Sequence, residues 1–185
     1  AGLTPTFDNT SKAVTATTSP ASLPVTITYD GNATAPTAAG SYAVVATINS
    51  TNYAGSATGT LVIGKANQTI TFSSLSQKLF TDAAFTLNAT ASSNLPVSYA
   101  SSSAAVAIVS GNTVTIKGVG TTTITASQAG DANFNAAPAV SQAQTVANAL
   151  QTITFGAITA RTFVANDTFT LTAGASSTLS VSYSS

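Results

Sequence analysis

The feature that most constrains the fold is an internal repeat with a spacing of about 83 residues. The sequence Gln-Thr-Ile-Thr-Phe occurs at Gln68–Phe72 and again at Gln151–Phe155. Three later groups recur at a similar spacing: Phe85-Thr86-Leu87 as Phe169-Thr170-Leu171, Ala91-Ser92-Ser93 as Ala175-Ser176-Ser177, and Val97-Ser98-Tyr99 as Val181-Ser182-Tyr183. A repeat of this length is the size of one small β-domain. We therefore expect a window from a longer array of tandem domains, in which the second copy ends in mid-pattern at Ser185.

Apolar and polar residues alternate with period two through most of the chain, as in the stretches 85–89 and 123–127. This period predicts strands that bury one face and present Thr on the other. Ser110-Gly111-Asn112 predicts a tight hairpin turn, and no stretch shows a sustained helical period. The pattern predicts an all-β fold of tandem antiparallel sandwiches. Further turns are expected at Asp30-Gly31-Asn32, Gly118-Val119-Gly120 and Gly130-Asp131-Ala132-Asn133.

A fainter repeat relates the first part of the chain to the middle part. Gly40–Thr47 aligns with Gly120–Ser127, and Asn52-Tyr53 aligns with Asn133-Phe134. The middle part has room for an extra hairpin, Val106–Ile116, that the first part lacks.

These alignments predict three units, at residues 1–66, 67–149 and 150–185. We expect the opening strand of the first unit to lie upstream of Ala1, and the third unit to be the N-terminal half of a further repeat. The junctions are short and are not Gly/Ser linkers, so we expect little bending between units and a stiff rod.

The composition weighs against catalysis. Charged residues make up 5% of the chain, and it has no His, Cys, Met or Trp. General acid–base chemistry relies on His and paired carboxylates, and transition-metal sites rely on His or Cys. We therefore expect no enzyme activity, no catalytic or metal residue and no cofactor. The five Lys and Arg residues are scattered singly, which argues against nucleic-acid binding, and no apolar run is long enough to span a membrane as a helix.

Two acidic clusters are candidates for calcium ligands: Asp30 with Asn32, and Asp131 with Asn133. Calcium takes six to eight oxygen ligands, usually several carboxylates, and each cluster has one, so the turn interpretation is favoured. Lys65 or Lys117 could form an intramolecular amide with an Asn, although the chain has few acids to assist that reaction.

Aromatic residues raise a third possibility. Tyr29, Tyr42, Tyr53 and Phe134 could form a sugar-binding platform, but we favour a core role, with Tyr53 and Phe134 closing equivalent ends of their sandwiches. Six Asn-x-Ser/Thr sequons leave glycosylation open. They are at Asn9, Asn32, Asn49, Asn67, Asn88 and Asn166.

Two parts of the chain resemble known bacterial modules. Tyr29–Tyr42, Asn52–Ala57 and Gly59–Ile63 resemble the MBG family of immunoglobulin-like repeats, with Phe7-Asp8-Asn9 departing from its usual Tyr-Asp-Gly. In the middle unit, the pattern is similar to that of bacterial Ig-like (Big) domains. It consists of Ser101-Ser102-Ser103, Val106, Gly111-Asn112-Thr113-Val114 and Gly118-Val119-Gly120-Thr121. Both resemblances imply Ig-like sandwiches in large secreted or surface-anchored bacterial proteins, with no shared ligand and no catalytic residue.

These observations favour a structural segment of an extracellular stalk, adhesin shaft or filament at the bacterial surface. The expected partners are neighbouring repeats of the same protein, with self-assembly into a fibre through an exchanged strand as a further expectation. The alternatives are a glycan- or surface-binding Ig-like module, and an accessory domain of a secreted enzyme.

Overall fold

The structure is a computed structural model that describes residues 4–184, and these residues contain strands, turns and extended segments without any helix. The all-β prediction is therefore confirmed. We call residues 4–66 the first segment, 67–149 the middle segment and 150–184 the third segment, after the predicted boundaries, which themselves stay predictions.

The first segment contains one antiparallel sheet in the order β1-β2-β3. Its strands are β1 (Val25–Tyr29), β2 (Gly40–Ile48) and β3 (Ser56–Ile63). Strand β3 is extended by a parallel bridge to the N-terminal residues, where the Phe7 N–H donates to the Gly64 carbonyl at 2.8 Å and the Gly64 N–H donates to the Pro5 carbonyl at 2.8 Å.

The middle segment is a β-sandwich. A four-stranded sheet, β5-β12-β11-β8, packs against a three-stranded sheet, β6-β10-β9, and a two-stranded sheet, β4-β7. The strands are β4 (Ile70–Thr71), β5 (Lys78–Leu79), β6 (Phe85–Thr86), β7 (Thr90–Ala91), β8 (Ser98–Ser101), β9 (Ala107–Ser110), β10 (Thr113–Ile116), β11 (Gly120–Ser127) and β12 (Val140–Ala147). Leu87, Ala107, Val114, Ile124 and Ala126 form the buried core together with residues of β4. One detail of the prediction is wrong: β5 pairs with β12 in parallel, because the chain crosses from the two-stranded sheet to the edge of the four-stranded one.

The turns and the internal alignment are found as predicted. The hairpin β9–β10 turns at Gly111-Asn112, with Thr113 opposite Ser110. Strands β2 and β11 begin at the aligned residues Gly40 and Gly120. The predicted extra hairpin of the middle segment is also present, as β9 and β10 between β8 and β11. The first segment has no counterpart, because its chain passes directly from β1 to β2.

The third segment repeats the opening of the middle one. Strand β13 (Ile153–Phe155) pairs antiparallel with β14 (Ala173–Ala175). The Ser176 N–H donates to the Thr152 carbonyl at 2.9 Å, as the Ser92 N–H does to the Thr69 carbonyl. The same local hydrogen bonding therefore forms in both copies. The burial of the two copies differs. Ile70 and Phe72 are buried in the middle segment, whereas the aligned Ile153 and Phe155 of the third segment are 62% and 47% exposed.

Candidate functional site: the interface between the first and middle segments

A loop of the middle segment, residues 130–135, contacts the first segment; we call it the interface loop. Its turn is held by Asp131, whose Oδ1 accepts hydrogen bonds from the N–H groups of Asn133 and Phe134, both at 2.8 Å. Gly130 opens the turn with φ of +79°, a left-handed conformation that favours glycine. The Asp131 carboxylate therefore has hydrogen-bond partners within its own turn, as the turn interpretation of this residue predicts.

Two glutamines fix the interface loop to the body of the middle segment. Gln68, which is buried, donates through Nε2 to Gln128 Oε1 and to the Asn135 carbonyl, both at 2.7 Å. The Gly130 N–H also donates to Gln128 Oε1. Because buried polar groups are costly when unpaired, this network gives the loop one arrangement. The loop is thus attached to the body of the middle segment.

Four hydrogen bonds join the interface loop to the first segment. The Ala66 N–H donates to the Asn133 carbonyl at 2.9 Å, and the Asn135 N–H donates to the Ala66 carbonyl at 2.8 Å. The Ala39 N–H donates to Asn133 Oδ1 at 2.9 Å, and Lys65 Nζ donates to the Asp131 carbonyl at 2.6 Å. Both main-chain polar groups of Ala66 are satisfied across the junction, so the connection is folded into the interface.

An aromatic pair completes the interface. The rings of Phe7 and Phe134 are 5.3 Å apart between centroids, at 82° to each other. Such edge-to-face pairs add about 0.5–1.5 kcal/mol beyond the area that they bury. The interface therefore combines main-chain bonding with apolar contact.

The aromatic predictions need correction. We expected Tyr53 and Phe134 to close the ends of their own sandwiches. Tyr53 is 48% exposed, and Phe134 contacts Phe7 of the neighbouring segment instead. The ring of Phe134 is therefore partly covered by the first segment, whereas the ring of Tyr53 is largely exposed. Tyr29 does lie in the core, and its hydroxyl accepts a hydrogen bond from the Val14 N–H at 2.7 Å.

The four aromatic residues proposed as a sugar platform therefore do not form one exposed surface, and Tyr42 packs against the core cluster that contains Tyr29. The Tyr42 hydroxyl donates to the Ala38 carbonyl at 2.9 Å, whereas Tyr29 is buried, Phe134 is at the interface and Tyr53 is on the surface.

The other candidate residues have local partners. Asp30 Oδ1 accepts from the Ala43 N–H at 2.7 Å and occupies a turn with φ of +46°. Within residues 4–184, no three acidic side chains come close enough together to hold a metal ion. Lys65 donates to a main-chain carbonyl, and an intramolecular amide at Lys65 or Lys117 stays a prediction. All six sequon asparagines are exposed.

The one large pKa shift in the first segment is local. The hydrogen bond from the Lys12 ammonium, followed by those from Thr10, lowers the pKa of the Asp8 carboxyl from 3.8 to about 2. The two residues form an ion pair at the surface.

The first segment also has an open apolar groove on one face of its sheet. The groove has a volume of about 340 Å³ and lies between the extended residues Val14–Ala16 and the sheet, whose side is formed by Ile27, Val44, Ala46 and Ala57. An adjoining hollow of about 230 Å³ continues along Thr17–Ser19. We call the two together the open groove.

One comparison with known proteins bears on the first part of the chain. Residues 1–67 match the family profile of the MBG domain, as the sequence resemblance predicted. None of the curated proteins compared with the chain matches it. Among solved structures, human protocadherin-24 EC1-2 is similar at 12% sequence identity, with 78% of this chain and 93% of that chain covered and a TM-score of 0.35. Along the described part of the chain, no helix is available that would be long and apolar enough to cross a membrane.

Proposed function

We propose that this chain is a structural repeat segment of an extracellular bacterial stalk, adhesin shaft or filament. The observation that supports this role is the interface between the first and middle segments. Two main-chain hydrogen bonds at Ala66 and the Phe7–Phe134 contact hold successive units without a free linker. Units joined in this way bend little, which suits a part that holds other modules at a distance.

The MBG domain at residues 1–67 supports an extracellular location for this role. The composition supports it as well. With charged residues at 5% of the chain, packing depends little on salt, because few ion pairs are available to be screened. The middle segment has paired strands around a buried core and no cysteine, so its stability rests on packing and strand pairing and not on disulfides.

Distance measurements between spin labels test the mechanical part of the proposal. The chain has no native cysteine, so labels at Thr58→Cys in β3 and Thr145→Cys in β12 report only on the arrangement of the two segments. We expect a narrow distance distribution that widens when Asn133 and Phe134 are both replaced by Ala. A broad distribution in the parent chain would contradict a stiff junction.

The location is tested separately. Antibodies against the chain are expected to label intact, unpermeabilised cells of the source bacterium. Labelling that requires permeabilisation would contradict an extracellular role.

A further inference from the structure

An early strand and the last strand of the middle segment run side by side in the same direction. Strand β5 pairs in parallel with β12, with Lys78 opposite Val146 and Leu79 opposite Ala147. The Phe80 N–H adds a hydrogen bond to the Ala147 carbonyl at 2.9 Å. Because β5 follows the start of the segment and β12 precedes its end, tension along the chain pulls these two strands in opposite directions.

Two glutamine side chains of β12 extend this contact towards the start of the segment. Gln142 donates through Nε2 to the Phe72 carbonyl at 2.7 Å, and Gln144 donates through Nε2 to the Ser76 carbonyl at 3.1 Å. As the chain advances from β4 to β5, its partners in β12 advance in the same order, so the contact is parallel throughout. We call the contacts of residues 72–80 with β12 the terminal ladder.

The two glutamines have no counterpart in the first segment. Pairing of β2 with β3 and of β11 with β12 aligns them with Gly59 and Leu61, neither of which has a side chain that can donate a hydrogen bond. Gln144 is fully buried, and its Oε1 accepts no hydrogen bond from the described residues. Such an unpaired oxygen costs stability. This cost indicates that Gln144 contributes through the bond that it donates to Ser76 and not through packing.

The direction of strand pairing decides how a contact resists tension. When two parallel strands are pulled from opposite ends, they slide past each other, so all contacts between them share the force. When two strands are pulled from the same end, their contacts open one after another. Forced unfolding is governed by the unfolding rate and not by the equilibrium stability alone, so the same contacts resist more force in the first geometry than in the second.

The terminal ladder is also sheltered from water. Gln144 is fully buried, Val146 is 1% exposed, and Lys78 and Leu79 are half-buried. Hydrogen bonds in such surroundings are electrostatically stronger than in water. We propose that the terminal ladder is the element that resists unfolding when the middle segment is pulled end to end, and that Gln142 and Gln144 contribute to this resistance. The inference rests on the proposed structural role and specifies which contacts withstand tension in it.

Single-molecule force measurements with two attachment geometries test the proposal. The chain has no native cysteine, so handles attach only to cysteines introduced into the full chain. The sliding geometry uses Thr69→Cys with Asn148→Cys, and the peeling geometry uses Thr69→Cys with Ala139→Cys; all three residues are exposed. Ala139 directly precedes β12 and so lies at the same end of the terminal ladder as Thr69. We expect the unfolding force in the sliding geometry to be about twofold that in the peeling geometry, or more.

Substitutions separate the terminal ladder from stability in general. Gln142→Leu and Gln144→Leu each remove one side-chain contact of the ladder, and each is expected to lower the force in the sliding geometry by roughly a fifth or more. The matched control is Gly111→Ala, which strains the turn between β9 and β10, outside the ladder. It is expected to lower the equilibrium stability and to leave the force in the sliding geometry unchanged.

Three outcomes overturn the proposal. They are equal forces in the two geometries, no fall in force in either glutamine variant, and an equal fall in Gly111→Ala. The spin-label distances report on the junction between the first and middle segments and not on the terminal ladder. The structural role of the chain therefore stands or falls separately from this inference.

Discussion

The ring of Phe134 in the middle segment meets the ring of Phe7 in the first segment edge to face, with centroids 5.3 Å apart. Replacing Phe134 with Ala removes this pair and opens the junction. We expect the first segment to lose about 1 kcal/mol of stability, which calorimetry or denaturant unfolding of the full chain detects as an earlier transition. The matched control is Tyr53→Ala at the aligned position, because Tyr53 is 48% exposed. An equal loss in both variants would show that the aromatic contact does not couple the segments.

Gly130 is expected to tolerate no side chain. Its φ is +79°, and an added Cβ would lie 2.4 Å from the Phe134 carbonyl oxygen. Gly130→Ala therefore combines left-handed strain with a backbone clash in the interface loop, and we expect a loss of about 3 kcal/mol or more in the free energy of unfolding. Denaturant titration measures the loss.

Gly111 provides the matched control for that prediction. It has φ of +58° with no atom within 4 Å of an added Cβ. Gly111→Ala is expected to cost only the conformational strain, about 1 kcal/mol. Similar losses at the two positions would mean that close packing around Gly130 is unimportant.

Gln144 is a fully buried polar side chain in β12. Its Nε2 donates to the Thr145 carbonyl at 2.9 Å and to the Ser76 carbonyl at 3.1 Å, whereas its Oε1 accepts no hydrogen bond from the described residues. Gln144→Glu would place an unpaired carboxylate there, and we expect a loss of about 3–5 kcal/mol at neutral pH. The loss should shrink as the pH falls, because protonation removes the buried charge. Unfolding at several pH values measures both effects.

Gln144→Leu is the companion variant, since Leu61 is the buried residue at the aligned position of β3. It removes the unpaired oxygen together with two donated hydrogen bonds, so we expect a change within about 1 kcal/mol. A large loss with Leu and a small one with Glu would contradict an apolar environment around this position.

The Asp8–Lys12 pair makes a prediction about pH. The hydrogen bond from Lys12 lowers the pKa of Asp8 to about 2. The contribution of the pair is therefore complete above the unfolded value of 3.8 and is lost as the pH falls through about 2. Because Asp8 is exposed, we expect a small effect on stability that weakens with salt. Titration of the Asp8 carboxyl carbon by NMR should show its midpoint rising toward 3.8 in Lys12→Ala and unchanged in Lys78→Ala.

The sequence predicts the strands and turns well because their signals are local. Period-two alternation identifies β11, and Gly111-Asn112 identifies the hairpin between β9 and β10, since each depends on residues close together in the chain. The parallel pairing of β5 with β12 was missed. This pairing joins a two-residue strand to a strand more than sixty residues away in sequence. The period-two pattern of a strand does not indicate which distant strand it pairs with.

The interface was harder to predict than the sandwich. Asn133-Phe134 was recognised as equivalent to Asn52-Tyr53, but a ring that packs within its own segment and a ring that contacts a neighbouring segment have the same sequence signature. Exposed Phe80 carries a further signal: its N–H bonds to the Ala147 carbonyl as the Phe7 N–H bonds to Gly64. Aligning Phe80 with Phe7 would have identified an aromatic position recurring at the unit end. The position of Gln68 beneath the loop requires coordinates, because its partners are about sixty residues away in sequence.

The bonding of Ala66 on both sides has a consequence for proteolysis. Trypsin cleaves after Lys65 only when the surrounding backbone can extend into its active-site cleft, and the two bonds from Ala66 to Asn133 and Asn135 prevent that extension. Since the Lys65 ammonium also donates to the Asp131 carbonyl, we expect cleavage of this bond to require separation of the first and middle segments. The rate of tryptic cleavage after Lys65 is therefore expected to report how often the first and middle segments separate.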